Sequence, residues 1–356
     1  MKQIRVGIIG TGFGASVHAP ILQLHEGFDV KAIASMYRGQ VQDVQNSTGI
    51  QQVYTNWHDM LNNEDLDLVV IASAPPNHHE MTMTALNKGL HVLCEKPMGM
   101  NAEETKAMLE QQQLSNVRGF VNFQWRLTPV RQEIKQIIKS GKLGRIQHIK
   151  YHGSFSGYSM LTNHSRGWEG SKSAGGGMLF AIGSHMIDAL QWWMDEKISD
   201  VYADLSTKVP THSSASDEST EQRDADDAFS VIGHFEQEAS FVMDLLFSGV
   251  RGNGWCLEVY GTEGTLRMTN DTDVEVSEGE AFEQIALSVC EPPSGLAASA
   301  LPYYSGLYPM LNGVYQSIVE GKTPSDIPTF VDGHRVQLVL NAIQRSAEQQ
   351  QRVIIS

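Results

Sequence analysis

Short apolar runs alternate with longer amphipathic stretches over the first third of the chain. Arg5–Ile9, Val30–Ala34 and Leu66–Ala72 are predicted to be strands. The last is almost wholly apolar, as expected of a strand buried on both faces of a sheet. Two more strands are predicted at His91–Cys94 and Arg118–Asn122. Strands that alternate with helices in this way indicate βαβ units stacked into a parallel sheet.

Between these strands the apolar positions recur with helical spacing. A glycine-rich turn after the first strand opens a helix that runs to about Leu24, and a second helix at His78–Lys88 ends at the following glycine. A third helix is predicted at Ala102–Gln113, where Asn101 caps the first turn and Glu104 completes a capping box.

Beyond Trp125 the pattern of apolar and polar positions along the chain changes. The predicted elements there are a helix at Pro129–Lys139, alternating strands at Ile146–His152, Phe229–Phe235 and Phe241–Phe247, and helices at Tyr308–Glu320 and Asp332–Gln349. The pattern predicts an α/β fold with a doubly wound parallel sheet in residues 1–122. Residues 123–356 are predicted to form an α+β domain with a large, open, mostly antiparallel sheet. Residues 211–227 are polar, acidic and poor in apolar side chains, so we expect a mobile loop there.

Length and charge narrow the function classes. A chain of 356 residues exceeds the size at which one core usually keeps growing, which also favours two domains. Its 26 basic and 41 acidic side chains give a net charge of −15, so we expect no nucleic acid and no anionic membrane as partner. Three widely spaced cysteines suggest neither a disulfide framework nor a metal site. Glycines interrupt the first apolar run too early for a secretory signal, so we expect a cytoplasmic protein.

The turn after the first strand carries the pattern of a phosphate cradle, Gly10-Thr11-Gly12-Phe13-Gly14-Ala15. Gly10 permits a tight turn, and Gly12 lets the backbone approach a pyrophosphate closely. Ala15 takes the third small position, where helix packs against strand, and Phe13 lies in the same turn. Free amides and the helix dipole favour phosphate there. A glycine turn without a ligand is the alternative interpretation.

The end of the second strand bears on the choice of cofactor. An acid usually meets the ribose 2′-hydroxyl of NAD at this place, about 20 residues past the turn. Here the chain has Ser35 and Arg38 instead. The arginine guanidinium group can donate two parallel hydrogen bonds to a phosphate, and no carboxylate at this strand end would repel a 2′-phosphate. The sequence therefore favours NADP over NAD, unless Arg38 is an ordinary solvated side chain.

Longer motifs resemble a known family. The runs APPNHH from Ala74 to His79 and ALNKGLHVLCEKP from Ala85 to Pro97 resemble the Gfo/Idh/MocA family of glucose-fructose oxidoreductases and inositol dehydrogenases. Further matches are Gly175-Gly176-Gly177, Gly183-Ser184-His185 with Asp188, the turn Gly261–Thr265, and the terminal helix at Ser346-Ala347. The resemblance spans essentially the whole chain and implies a Rossmann domain followed by an α/β domain.

The resemblance implies roles for residues of the first domain. Lys96 corresponds to the lysine between nicotinamide and substrate, and Glu95 to the glutamate near the nicotinamide ribose. A lysine at the carboxyl end of a parallel strand points into the ligand crevice and can stabilise a developing alkoxide. The cofactor loop takes in Ser73, Pro75, Asn77 and His78, although adjacent histidines at a helix start often only cap it or face water.

The resemblance also implies a proton-transferring histidine, which His185 matches. The family has an Asp one helical turn earlier, where this chain has Ala181. Alanine can neither tune nor relay a proton, and Asp188 is an alternative group to orient the ring. Less specific substrate candidates are Gln124 and Arg126 at the domain junction and Trp168 before the glycine run.

These residues predict an oxidoreductase that moves a hydride between NADP, or NAD, and a secondary alcohol or carbonyl of a sugar or polyol. The alternative is a nucleotide- or sugar-binding regulatory protein of the same fold that has lost catalytic groups, which Ala181 keeps open. The resemblance further implies a homodimer or homotetramer, because an open sheet leaves a face to cover.

Overall fold

A computed structural model describes residues 3–35, 40–213 and 220–355. The chain forms two compact units, Met1–Thr128 with Val289–His334, and Pro129–Ser288 with Arg335–Ser356. The first unit therefore includes a segment from late in the chain that the sequence patterns do not assign to it. The boundary at residue 122 stays a prediction.

The elements are as follows. The strands are β1 (Ile4–Ile9), β2 (Phe28–Ala34), β3 (Gln52–Tyr54), β4 (Leu68–Ile71), β5 (His91–Cys94), β6 (Gly119–Val121), β7 (Ile146–Ser154), β8 (Ile198–Ser206), β9 (Thr211–Ser213), β10 (Thr220–Gln222), β11 (Ala228–Phe235), β12 (Ser240–Leu246), β13 (Gly254–Gly261), β14 (Thr265–Thr269), β15 (Asp273–Ser277), β16 (Glu283–Ile285) and β17 (Val353–Ile354). The helices are α1 (Ala19–Leu24), α2 (Val41–Thr48), α3 (Trp57–Asn63), α4 (His78–Asn87), α5 (Ala102–Ser115), α6 (Pro129–Lys139), α7 (Tyr158–Asn163), α8 (Ser184–Met194), α9 (Leu301–Val319) and α10 (Phe330–Gln349).

Six parallel strands form the sheet of the first unit, in the order β3-β2-β1-β4-β5-β6. The chain order reverses between β1 and β4, which is the switch point where doubly wound sheets bind ligands at their carboxyl edge. All four residues of β4 are buried, as its apolar sequence predicts. The predicted doubly wound sheet is confirmed.

Two helices of the first unit, α3 and α5, begin at an asparagine whose side chain caps the first turn, and one helix, α9, begins earlier than predicted. The Asn101 side chain accepts from the amide of Glu104 at 2.9 Å, as predicted for α5. The Glu104 carboxylate in turn accepts from the amide of Met100 at 2.8 Å. Helix α9 begins at Leu301, seven residues before the predicted start at Tyr308. Its buried face, which includes Leu307, belongs to the core of the first unit.

Nine strands form the sheet of the second unit, in the order β16-β15-β14-β13-β7-β12-β11-β8-β17. Every pairing is antiparallel except that of β12 with β7. The mostly antiparallel sheet is therefore confirmed. Side chains alternate across it, so that Val231 is buried while its neighbour Ile232 is 45% exposed.

The acidic stretch 211–227 contradicts the expectation of a mobile loop in the part that the structure describes. β9 and β10 pair as an antiparallel ribbon. Arg223 and Asp227 are buried. Both Asp227 oxygens accept backbone amides, from Lys208 and Val209, at 2.8 Å. The loop prediction was wrong because the polar side chains of this stretch bind backbone groups elsewhere in the chain instead of water.

Candidate functional site

The glycine-rich turn has the tight backbone conformation that its sequence predicts. Gly10 has a φ of +114°, a region that side chains rarely adopt. A Cβ atom at this position would come within 2.3 Å of the carbonyl oxygen of Ala72, which follows β4. Gly10 therefore lets β1 and β4 approach each other closely at the switch point.

Gly12 meets the opposite environment. A Cβ atom there would find no atom within 4 Å among the residues the structure describes. The amides of Thr11, Gly12 and Phe13 also have no acceptor within this described part of the chain. Consecutive free amides at a helix start form an anion-binding cradle. The residues present therefore fit the pyrophosphate of a dinucleotide.

The helix that follows the cradle opens with a π-helical turn, Gly14–His18, before α1. Gly14 makes the tight contact with the sheet, because a Cβ atom there would lie 2.9 Å from a methyl group of Ile8. Ala15 is half-buried against the same core. The small residue that packs closest to the strand is therefore Gly14, one residue before the predicted Ala15.

The end of β2 carries a side-chain cluster that the sequence analysis missed. Ser35 is buried, and its hydroxyl donates to the side-chain oxygen of Gln40 at 3.3 Å. The Thr11 hydroxyl donates to the same oxygen, also at 3.3 Å. Arg38 lies outside the described residues. Gln40 thus links the cradle to the strand end where the adenosine ribose binds in this fold.

Glu95 is the centre of a buried polar network at the carboxyl end of β5. Its Oε1 accepts from His18 Nε2 at 2.7 Å and from the Asn122 amide at 2.6 Å. Burial alone would raise the pKa of Glu95, but the hydrogen bond and charge of His18, and then the charge of Lys96, lower it overall. Glu95 therefore carries a negative charge inside the unit.

Two atoms of this network have no partner among the described residues, namely His18 Nδ1 and Asn122 Oδ1. Both side chains are fully buried. A buried polar atom without a partner costs about 1–3 kcal/mol. Such atoms beside a fixed carboxylate fit a site that a polar ligand completes.

Lys96 follows this carboxylate directly. Its amide donates to Glu95 Oε2 at 3.2 Å, and its side chain is half-buried. The next peptide bond, to Pro97, is cis. The lysine thus lies where the sequence places it, just past the carboxyl end of a central parallel strand.

The loop after β4 holds the other predicted cofactor residues. Pro75–Asn77 form one 3-10 turn, in which Pro75 is buried and Asn77 half-buried. Ser73 is half-buried, with its hydroxyl 3.3 Å from the Met81 sulfur. His78 begins α4, where it is fully buried rather than facing water.

Gln124 and Arg126 lie on a 3-10 turn after β6, and both are buried. Arg126 pairs with Asp332 at 3.0 Å. Burial would raise the pKa of Asp332, but Arg126 lowers it overall. The Gln124 side-chain oxygen has no partner within the described chain. Of the two, Gln124 keeps polar capacity for a ligand, while Arg126 is held by its carboxylate.

In the second unit, His185 and Asp188 both lie buried on α8. A π-helical turn, Leu179–Gly183, precedes this helix and contains Ala181. Such turns often occur at functional sites. The same local form therefore opens the helix after the cradle and the helix of the candidate proton-transferring histidine.

Asp226 holds the start of that π-helical turn. Its Oδ2 accepts from the amide of Leu179 at 2.8 Å, and its backbone oxygen accepts from Met178 at 2.9 Å. Burial raises the pKa of Asp226 to about 6. No sequence signal marked this residue, because it lies in the stretch predicted as a loop.

Trp168 lies on a 3-10 turn, Gly167–Gly170, and is 46% exposed. Glu221 accepts the amides of Arg166 and Gly167 at 3.1 and 2.7 Å. Arg223 binds Glu221 and donates to the carbonyl oxygens of two residues before this turn, at 2.7 and 2.8 Å. The Glu221–Arg223 pair therefore fixes the segment that presents Trp168.

No group of three or more His, Cys, Asp or Glu side chains in the described part of the chain could hold a metal ion. None of the helices described is both long enough and apolar enough to cross a membrane.

Two family models match the chain. One, described as an oxidoreductase family with an NAD-binding Rossmann fold, matches residues 4–123. The other, the GFO/IDH/MocA C-terminal domain, matches residues 131–267. Between them they cover the cradle, the Glu95–Lys96 segment and the helix of His185.

Some similar sequences are named as dehydrogenases. An uncharacterised oxidoreductase of Synechocystis is 30% identical over 75% of this chain and 72% of its own. The levoglucosan dehydrogenase of Pseudarthrobacter phenanthrenivorans is 27% identical over 98% of this chain and 97% of its own. The myo-inositol 2-dehydrogenase of Thermotoga maritima is 24% identical over 77% of each.

Solved structures share the fold over the whole chain. A levoglucosan dehydrogenase in complex with NADH and levoglucosan is 25% identical, with a TM-score of 0.85 and full coverage of both chains. An oxidoreductase domain protein from Kribbella flavida is 24% identical, with a TM-score of 0.89 and the same coverage.

Proposed function

The chain belongs to the Gfo/Idh/MocA family of NAD-binding oxidoreductases, and on that basis we propose that it is a dehydrogenase of sugars or polyols. It would move a hydride between a nicotinamide cofactor and a secondary alcohol or carbonyl group. The observation that carries the proposal is the carboxyl edge of the parallel sheet. There, free amides at Gly12 lie in the same unit as a charged, buried Glu95 that leads directly into Lys96.

When bound, the nicotinamide cofactor supplies the hydride donor or acceptor. The amides of the Gly10–Ala15 turn would hold its pyrophosphate. Glu95, fixed by His18 and Asn122, would orient the nicotinamide ribose. The loop from Ser73 to His78 would line the cofactor site between the pyrophosphate and this ribose. These roles follow the family resemblance.

Lys96 would hold its positive charge at the substrate oxygen as that oxygen becomes an alkoxide. A preorganised charge of this kind lowers the barrier more than it strengthens substrate binding. His185 would accept or return the hydroxyl proton. Both groups are placed at these steps by their match to the family motifs.

The proposed substrate contacts are Gln124, Trp168 and Asp188, with Arg126 in the same segment as Gln124. Gln124 has an unpartnered amide oxygen, and Trp168 offers an exposed aromatic plane that suits a sugar ring. The relatives named for levoglucosan and myo-inositol suggest that the substrate is a cyclic polyol or anhydrosugar.

For the cofactor, the proposed preference is NADP, through Ser35 and Arg38. Support comes from the lack of an acid at the end of β2, where Gln40 takes the hydroxyls of Thr11 and Ser35. Arg38→Ala should weaken NADPH binding by about 1.5–3 kcal/mol and leave NADH unchanged. Fluorescence titration with both cofactors tests this. Equal affinity of the native protein for NADH and NADPH would reverse the assignment in favour of NAD, which is the cofactor in the levoglucosan dehydrogenase structures.

Measured turnover distinguishes the proposed dehydrogenase from a regulatory protein of the same fold. Ala181, in place of the family aspartate, favours a second candidate, a regulatory protein that binds nucleotide or sugar without reacting. The test follows nicotinamide absorbance with levoglucosan, myo-inositol and related polyols, using NAD and NADP. Oxidation of any of them at rates typical of enzymes, roughly 1 s⁻¹ or more, supports the dehydrogenase. Tight cofactor binding without turnover across the panel would support the regulatory protein.

Self-association in the cytoplasm is the remaining part of the proposal. Tyr202, Ile232 and Leu246 are apolar and exposed on the strands of the open sheet. Exposed apolar side chains on an open sheet are often covered, and here a second copy of the chain would cover them. Light scattering should give a mass of a dimer or tetramer. The mass of a single 39.3 kDa chain would contradict this.

A further inference from the structure

His78 lies between two loops of the first unit. Its Nδ1 is 2.9 Å from the carbonyl oxygen of Pro97, in the loop that follows β5. Its Nε2 is 2.9 Å from the carbonyl oxygen of Ser73, in the loop that follows β4. The ring is fully buried, so water does not compete for either contact.

The chemistry of imidazole makes this arrangement unusual. A neutral ring has one N–H group, whereas two carbonyl oxygens face its two nitrogens. Burial lowers the pKa of His78, against the opposing effect of the two carbonyl groups. A neutral His78 ring therefore donates a hydrogen bond to one carbonyl oxygen at a time, and only a protonated ring donates to both. In either state, both loops pack against the same rigid ring.

The two loops carry different parts of the proposed chemistry. The β4 loop runs from Ser73 to Asn77 and holds the predicted cofactor contacts, while the β5 loop holds Lys96 immediately before Pro97. β4 and β5 are adjacent parallel strands, so their carboxyl ends lie side by side. A rigid ring between them sets the distance from the cofactor loop to the lysine.

We propose that His78 is a positioning residue, which sets the place of Lys96 relative to the cofactor loop without itself contacting substrate. This inference rests on the proposed function, because it assigns separate effects to cofactor binding and to hydride transfer. Its contact with Pro97 supports turnover, and its contact with Ser73 supports cofactor affinity.

Two amide variants separate the contacts. An asparagine amide can replace the donor at Nδ1, and a glutamine amide can replace the donor at Nε2. His78→Asn should therefore keep kcat within a few-fold and weaken cofactor binding by about five- to tenfold, the value of one hydrogen bond. His78→Gln should show the reverse, with near-native cofactor affinity and kcat lowered by a similar factor. His79→Gln, at the next and only half-buried position, is the matched control and should change neither.

The measurements are cofactor titration, kcat on the best polyol of the panel, and thermal unfolding of each variant. Equal changes of kcat and cofactor affinity in both amide variants, or a loss of thermal stability alone, would overturn the inference. If the variants do not fold, exchange of the His78 ring N–H with solvent is compared in the free and the cofactor-bound native protein. Slower exchange with cofactor bound supports the link to the cofactor loop, and equal exchange contradicts it. A native protein without turnover would instead refute the proposed function, since the cofactor titrations would still report on His78.

Discussion

The glycine-rich turn at Gly10–Ala15 and the acidic stretch at 220–227 treat backbone amides in opposite ways. In the turn, three consecutive amides are left without an acceptor inside the described chain. In the stretch, Glu221, Asp226 and Asp227 accept amides from segments that lie 18 to 55 residues away. The first region leaves amide donors available for a ligand, and the second uses carboxylates to hold the protein's own loops.

The two regions also differ in how their sequences reveal them. The turn can be recognised from its own sequence, because a φ of +114° at Gly10 requires glycine whatever the distant residues do. The role of the stretch depends on its distant partners. Without them, its composition is indistinguishable from that of a solvated loop.

The largest expected effect is at Gly10. In Gly10→Val the new side chain would meet the carbonyl oxygen of Ala72, and the backbone would be strained at its positive φ. We expect a loss of about 4 kcal/mol or more in the free energy of unfolding, together with the loss of cofactor binding. Urea unfolding followed by circular dichroism measures the first, and fluorescence titration the second.

Gly12→Ala is the matched control within the same turn. A methyl group there meets no described atom, so the unfolding free energy should stay within about 0.5 kcal/mol of native. The added methyl group would lie where the pyrophosphate approaches the backbone, so cofactor affinity should fall at least tenfold. An alanine variant that binds cofactor as tightly as native protein would show that Gly12 is an ordinary turn glycine.

Sequence patterns predict the first unit well, because its strands are continuous and apolar. His91–Cys94 has the predicted bounds, and the Asn101 cap has the predicted bond. In the second unit, the helix Pro129–Lys139 also has its predicted bounds. The start of α9 was predicted seven residues late, because its N-cap is Ala300, which offers no side-chain cap, although Pro302 in the first turn is a start signal. The parallel pairing of β12 with β7 was not predicted, because strand order depends on contacts across some 90 residues.

Within the candidate site, motifs identify residues that act through their own backbone or by their place at a strand end, such as Gly12 and Lys96. Supporting residues carry no such signal. His18 and Gln40 take part through side-chain bonds to residues far along the chain or across a turn, and neither type nor spacing marks them. A family resemblance therefore identifies the reacting groups more easily than it identifies the residues that hold those groups in place.

A second expected effect, smaller than that of Gly10→Val, lies in the acidic stretch. Arg223→Leu removes three donors to Glu221 and two carbonyl oxygens, and leaves the half-buried Glu221 carboxylate without its cationic partner. We expect a loss of about 3 kcal/mol in unfolding free energy. Arg267→Leu, which breaks the exposed pair with Glu275, is the control and should cost about 0–1 kcal/mol. Equal losses in the two variants would show that 220–227 is no more than a solvated loop.

The smallest expected effect concerns the pH dependence of stability. The pKa of Asp226 is raised from 3.8 to about 6 by burial, so the folded state keeps a proton that the unfolded state has released. The favourable contribution is complete below about pH 4 and is lost as the pH rises through 6. From pH 5 to pH 8 the native protein should therefore lose about 1 kcal/mol more than Asp226→Asn. Parallel pH profiles of native and variant proteins would refute this assignment.

Single-turnover hydride transfer in Lys96→Met shows whether Lys96 acts on the reacting oxygen. Methionine keeps much of the side-chain length and removes the charge, while Glu95 and its partners stay in place. We expect the transfer rate to fall by roughly 10²–10³-fold and cofactor affinity to stay within a few-fold of native. A variant that transfers hydride at a near-native rate would show that Lys96 takes no part in the reaction.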